Sequence, residues 1–118
     1  MADGNAFKKA LADTKEISIT VKGRKTGKQL TLPIWFGLDG NTLYLLPAKG
    51  SATQWFKNLQ TSRSITLTAG NQKFSGKFTA SKEKETVQKV VGLIRNGYGE
   101  KGLTYYSNSD VAVIVGLN

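Results

Sequence analysis

The sequence predicts an α+β or barrel fold of mostly antiparallel strands, on three observations. Apolar and polar residues alternate with a two-residue period in several short segments, glycine-rich turn signals separate those segments, and helical periodicity is confined to inserts between them. A short helix is expected around residues 4–13, after which Ile17, Ile19 and Val21 alternate with Ser18, Thr20 and Lys22. The same period returns in Leu30, Leu32, Ile34 and Phe36, and the stretch between, GRKTGK at 23–28, has two glycines that can take positive φ, so the pair reads as a hairpin. Asp39-Gly40-Asn41 is a second turn signal and leads to a strand from Thr42 to Leu46, ended by Pro47.

Ser51 with Gln54 three residues later fits a capping box, so a helix is expected to start there with Trp55, Phe56 and Leu59 on its apolar side. Ser64 to Ala69 and Lys73 to Ala80 read as a further hairpin across Gly70-Asn71. Val87, Val90, Val91 and Ile94 fall at i, i+3, i+4 and i+7 of a second long helical segment, which Gly97 and Gly99 should stop. Val111 to Val115 is a continuous apolar run, the pattern of a strand buried on both faces. The sum is about six strands with two or three helices, in one domain spanning residues 1–118.

Two absences narrow the chemistry. The chain has no cysteine and no histidine, which excludes a Ser-His-Asp triad, a Cys-His pair and a zinc site built from those residues. The eight carboxylates (Asp3, Asp13, Glu16, Asp39, Glu83, Glu85, Glu100, Asp110) form no pair within an apolar stretch, so two-carboxylate acid/base catalysis has no support, and no metal ligand set is read. An enzyme of this composition would take its difficult chemistry from an organic cofactor. Nothing approaches a membrane span or a signal peptide h-region, and the expectation is a soluble, cytoplasmic protein.

The formal charge of +9, from seventeen Lys plus Arg against eight acids, calls for an anionic partner. Only Arg24, Arg63 and Arg95 are arginines, so arginine-based readout of nucleic acid bases is not apparent. Alone, GRKTGK is a basic exposed turn, and AKGSATQWFKNL (48–59) is a capped helix filling the core. If the two lie side by side, however, Arg24, Lys25, Lys28 and Lys49 would line one basic cleft beside a helix N-terminus and aromatic surface, a setting suited to an anionic planar cofactor.

The ordered set GRKTG, LPIWF, LLPAKGS and WFKNL resembles the deazaflavin-dependent nitroreductase family, over residues 17 to about 69. That resemblance implies a split β-barrel similar to the pyridoxamine-phosphate-oxidase type, binding coenzyme F420 and transferring a hydride to a small planar acceptor such as a quinone or nitroaromatic. By position it implies that Arg24, Lys25, Thr26, Gly27 and Lys28 surround the coenzyme phosphate and acidic tail. Ala48, Lys49, Gly50, Ser51 and Ala52 would approach ring and phosphate, and Gln54, Trp55, Phe56, Lys57 and Asn58 would run along the ring. Tyr98, Tyr105 and Tyr106 are the region's candidates for the substrate side, no side chain is assigned as catalytic, and a homodimer is implied. FMN is the alternative cofactor. A non-catalytic barrel that carries the cofactor, or stacks single-stranded nucleic acid on Trp35, Tyr44 or Phe74, is the alternative of a different class.

Overall fold

The alternating segments form two four-stranded antiparallel sheets, an α+β split barrel, in a computed structural model that describes residues 4–14, 16–62, 64–104, 106 and 109–117. The elements run α1 (Gly4–Ala12), β1 (Ile17–Lys22), β2 (Gln29–Ile34), β3 (Gly37–Asp39), β4 (Thr42–Leu45), a 3-10 turn (Gly50–Ala52), α2 (Gln54–Ser62), β5 (Ile65–Ala69), β6 (Gln72–Gly76), β7 (Thr79–Ser81), α3 (Lys84–Leu103) and β8 (Ala112–Gly116). The first sheet has the order β2-β1-β5-β6 and the second β3-β4-β8-β7.

The two sheets bury their residues differently, and the sequence pattern shows why. In the first, Ile17, Ile19, Val21, Ile65 and Leu67 point into the main core, while Thr20, Thr31, Thr66 and Ser75 share the outer face. Hydrogen bonds join Thr20 to Thr31 (3.0 Å) and Thr66 to Ser75 (3.1 Å) across that face, so the clean alternation reports one wet side. In the second sheet, Leu43, Leu45, Val113 and Val115 join the main core, whereas Tyr44, Leu46 and Ala112 turn to α3 and meet Val87, Val90 and Ile94. Being covered on both sides is what makes the β8 run continuously apolar.

Eight strands replace the expected six because one expected strand divides between the sheets and another ends early, the chain continuing as a short strand outside the expected set. The segment from Leu30 to Phe36 ends β2 at Ile34 and resumes as β3 at Gly37, with Trp35 and Phe36 at the crossing tied to Tyr98 of α3. The segment from Lys73 to Ala80 likewise breaks into β6 and β7, which lie in different sheets. The expected stop at Gly97 and Gly99 is instead a kink: Gly99 has φ 80° and ψ 172°, and the helix resumes to Leu103. Only a glycine takes that backbone without strain.

Past the kink, Gly102 fixes an aromatic cluster. A Cβ there would lie 2.9 Å from Cζ3 of Trp35 and 3.0 Å from Cβ of Tyr98. Gly102→Ala would gain helix propensity of about 1 kcal/mol, but overpacking costs about 1–3 kcal/mol. The expected outcome is a lower Tm with an altered tryptophan emission spectrum; a raised Tm with unchanged emission would contradict this packing.

Candidate functional site

The β1–β2 turn is closed by Gly23 N–H donating to the Lys28 carbonyl (2.7 Å) and Gly27 N–H donating to the Gly23 carbonyl (2.8 Å). Gly27 has φ 74°. A side chain at Gly23 would meet Thr26 Oγ1 at 2.9 Å, so both glycines are demanded by the tightness of the turn. Lys25, Thr26 and Lys28 are left exposed at its tip.

Arg24 points the other way, onto α2. Its backbone N–H (3.2 Å) and its guanidinium Nη1 (2.7 Å) both donate to Asn58 Oδ1, and Nη2 donates to Gln54 Oε1 (3.0 Å). Asn58 is only 5% exposed. The two motifs therefore do lie side by side, joined by a clamp whose acceptors are neutral amides. A guanidinium has five N–H donors, and those two side-chain bonds leave most of them, and the full charge, available to an anion.

The loop leading into α2 is built differently from the expected capping box. Ser51 lies in the 3-10 turn, and α2 begins at Gln54 after an extended Thr53. Instead of capping a helix, Ser51 gives its N–H and its Oγ–H to the two oxygens of Asp110, each at 2.8 Å. Thr53, 8% exposed, accepts from Lys49 N–H at 2.8 Å. Gly50, Ala52 and Thr53 donate their N–H groups to the carbonyls of Pro47, Lys49 and Gly50. The donors expected at residues 50–52 are thus engaged within the protein. The N–H groups of Gln54, Trp55 and Phe56, in the first turn of α2, have no intrahelical acceptor, the ladder starting at Lys57 N–H to the Thr53 carbonyl. They carry the positive end of the helix dipole, and Arg24 is tied to that same turn through Gln54.

Beside this turn is an apolar pocket of about 230 Å3 lined by Glu16, Pro33, Ile34, Trp35, Leu46, Ala48, Trp55 and Tyr106. Trp35 is stacked on Tyr98 with ring centroids 4.4 Å apart and planes 6° apart. Tyr98 Oη accepts from Phe36 N–H at 3.3 Å, so Tyr98 stands behind the wall while Tyr106 is part of it. Tyr105 falls outside the described residues. Burial pushes the Tyr106 phenol up to about 12 and raises Tyr98 as well, which keeps both protonated near neutrality, as donors and not bases. Phe56 is buried in the core and Lys57 is exposed on α2. Sequence reasoning missed Asp110, Thr53 and the pocket role of Trp35. Of these, only Thr53, a residue type favoured just ahead of a helix, carried a local signal.

A family model described as "Uncharacterized protein conserved in bacteria (DUF2255)" matches residues 8–113. The chain belongs to the DUF2255 family. No curated protein matches this DUF2255 sequence, but solved structures share its fold. The F420-H2 dependent reductase FDR-A is similar with a TM-score of 0.65 at 16% identity, over 86% of this chain and 93% of that one. A candidate 5-nitroimidazole antibiotic resistance protein from Bacteroides thetaiotaomicron reaches 0.69 at 15% identity, over 98% and 80%. HutZ, the heme storage protein from Vibrio cholerae, reaches 0.68 at 12% identity, over 97% and 88%. The resemblance to deazaflavin-dependent reductases is thus matched by a likeness of fold, one that heme proteins share. No helix of the described DUF2255 residues is long and apolar enough to cross a membrane.

The Asp110–Ser51 bond has a defined pH signature. The two Ser51 donors hold the Asp110 carboxyl below its ordinary 3.8. A folded value below the unfolded one gives stabilisation that is complete above the unfolded value and lost as pH falls through the folded one. The Tm difference between the wild type and Asp110→Ala should therefore persist from neutral pH down to about 3.8 and close only below it. A difference that vanishes well above 3.8 would contradict the assignment.

Proposed function

We propose that this DUF2255 protein is a coenzyme-F420-dependent oxidoreductase acting on a small planar acceptor such as a quinone or nitroaromatic. The observation that carries the reading is the Arg24 clamp, which holds a guanidinium with uncompensated charge at the first turn of α2, next to a pocket walled by Trp35, Trp55 and Tyr106. The donor set suits a cofactor with an anionic chain and a flat apolar ring. When bound, the reduced deazaflavin supplies the hydride.

The protein's own contribution is binding, orientation and exclusion of water. In this reading Arg24, Lys25, Thr26, Gly27 and Lys28 surround the phosphate and acidic tail. The α2 N–H groups of Gln54, Trp55 and Phe56 donate to the cofactor's anionic or electron-rich edge. The 48–52 loop and the aromatic walls keep the ring dry, and Tyr106 is the substrate-side residue, its retained phenol proton able to hydrogen-bond an acceptor oxygen. No side chain need act as the proton donor in the first step. The pocket is smaller than the roughly 300–1,000 Å3 of typical ligand sites, and Leu30 and Leu32 on the edge strand β2 are 43% and 39% exposed. Both observations favour a homodimer in which a second copy covers that edge.

FMN is the second candidate, since a phosphate cradle alone does not distinguish the two. A heme reading is less favoured by the donors, because the chain has neither histidine nor cysteine and an axial ligand would have to be a tyrosine or its one methionine. The test is a fluorescence or calorimetric titration with F420 and FMN at two salt concentrations. F420 should bind more tightly at low salt, because its tail gives Lys25 and Lys28 carboxylates to neutralise, and the advantage should shrink as salt screens it. Lys25→Ala and Lys49→Ala should each weaken binding by roughly tenfold, the loss of one charge-assisted contact, with Tm unchanged and Lys77→Ala as a neutral control. Tighter binding of FMN, or equal losses in all three variants, would overturn the assignment.

A further inference from the structure

A cavity larger than the aromatic pocket lies elsewhere among the described residues. It is a groove of about 790 Å3 on the outer side of the first sheet, between the β1–β2 turn, the last turn of α2 and the start of β5. Its volume falls in the range of small-molecule sites, roughly 300–1,000 Å3. Lys22 and Arg24 stand at one end, Thr61, Ser62 and Ser64 at the other, with Thr20, Thr66 and Gln29 between them. Among the described residues, neither a carboxylate nor an aromatic ring lines it.

The polarity of the groove is graded along its length. At the turn, the cations are held without an acid: Arg24 is engaged by the amides of Gln54 and Asn58, and the Lys22 stem runs close enough that a Cβ on Gly27 would lie 3.7 Å from Lys22 Cε. In the middle, Thr20 and Thr66 are each half of a hydroxyl pair, with Thr31 and Ser75. One hydroxyl donates in each pair, so each pair keeps one proton to give and lone pairs to accept with. At the far end the Ser62 hydroxyl proton is directed to the carbonyls of Leu59 and Ser64, both at 3.2 Å. With its proton so engaged, the Ser62 oxygen keeps its lone pairs as acceptors, at the negative end of the α2 dipole.

We propose that this groove is a second ligand site, for a small, non-aromatic, polyhydroxylated anion of the sugar-phosphate class. The phosphate would sit at Lys22 and Arg24, and the hydroxyls would donate toward Ser62 and exchange bonds with Thr20, Thr66 and Gln29. With no ring on its walls the groove has nothing to stack a flavin or a nucleobase. It shares Arg24 and Gly27 with the residues proposed to surround the coenzyme's phosphate and tail, so the two ligands would compete there, but it does not depend on the aromatic pocket holding a cofactor.

The test is amide chemical-shift mapping on the intact 118-residue protein, titrated with ribose 5-phosphate, inorganic phosphate and ribose. Ribose 5-phosphate should give saturable shifts at both ends of the groove, in Lys22 and Arg24 and in Thr61, Ser62 and Ser64. Inorganic phosphate should bind more weakly and move only the cationic end, and ribose should move neither. Lys22→Ala should weaken both anions by about tenfold, one charge-assisted contact. Ser62→Ala should weaken ribose 5-phosphate alone, with the spectrum outside the groove unchanged as evidence of an intact fold. Absence of saturable shifts, equal affinity for ribose 5-phosphate and inorganic phosphate, or an unaltered response in Ser62→Ala would overturn the proposal.

Discussion

The contact on which the rest depends is the double acceptance by Asn58 Oδ1 of the Arg24 backbone and guanidinium N–H groups. Asn58 is buried, and a buried amide oxygen left without a donor costs about 1–3 kcal/mol, so the turn is held to the helix by the cost of releasing it. The partners are 34 residues apart in sequence. Their union converts two weak motifs into one surface, in which a cation, a helix N-terminus and an aromatic pocket adjoin. Amide acceptors matter as much as position. A carboxylate in place of Asn58 would anchor Arg24 equally well and cancel the charge it presents to solvent.

The sheets serve this arrangement from opposite sides. The first sheet delivers the β1–β2 turn and keeps its outer face wet, so the hydroxyl rows and the groove are open to solvent. The second sheet, covered on one side by the core and on the other by α3, leads into Leu46 at the pocket, and α3 fixes Trp35 through Tyr98 and Gly102. The candidate site residues come from turns and helix starts and the framework from buried strands, the usual division between a rigid scaffold and its loops.

Strand periodicity, the apolar face of α3 and the doubly buried β8 were legible because each is a local pattern with a single physical cause. The juxtaposition of the basic turn and α2 was legible only as a condition, since nothing in GRKTGK states which helix Arg24 will meet. The helix start was misread at Ser51 because the Ser-x-x-Gln pattern is also compatible with a 3-10 turn. What decides between them is Asp110, 59 residues away, which claims both Ser51 donors and leaves α2 to begin after Thr53. The strand breaks at Trp35 and at Lys77 were hidden for a related reason: a chain that changes sheets keeps its alternation, and only tertiary packing marks the crossing.

The central claim is that Arg24 and Asn58 act as one unit, and a double-mutant cycle measures that directly. Arg24→Ala, Asn58→Ala and the double variant would be compared in denaturant unfolding and in F420 titration. The account predicts coupling of about 1–3 kcal/mol in stability, with each single variant losing nearly as much cofactor affinity as the double. Additive stability effects together with independent losses of affinity would contradict it.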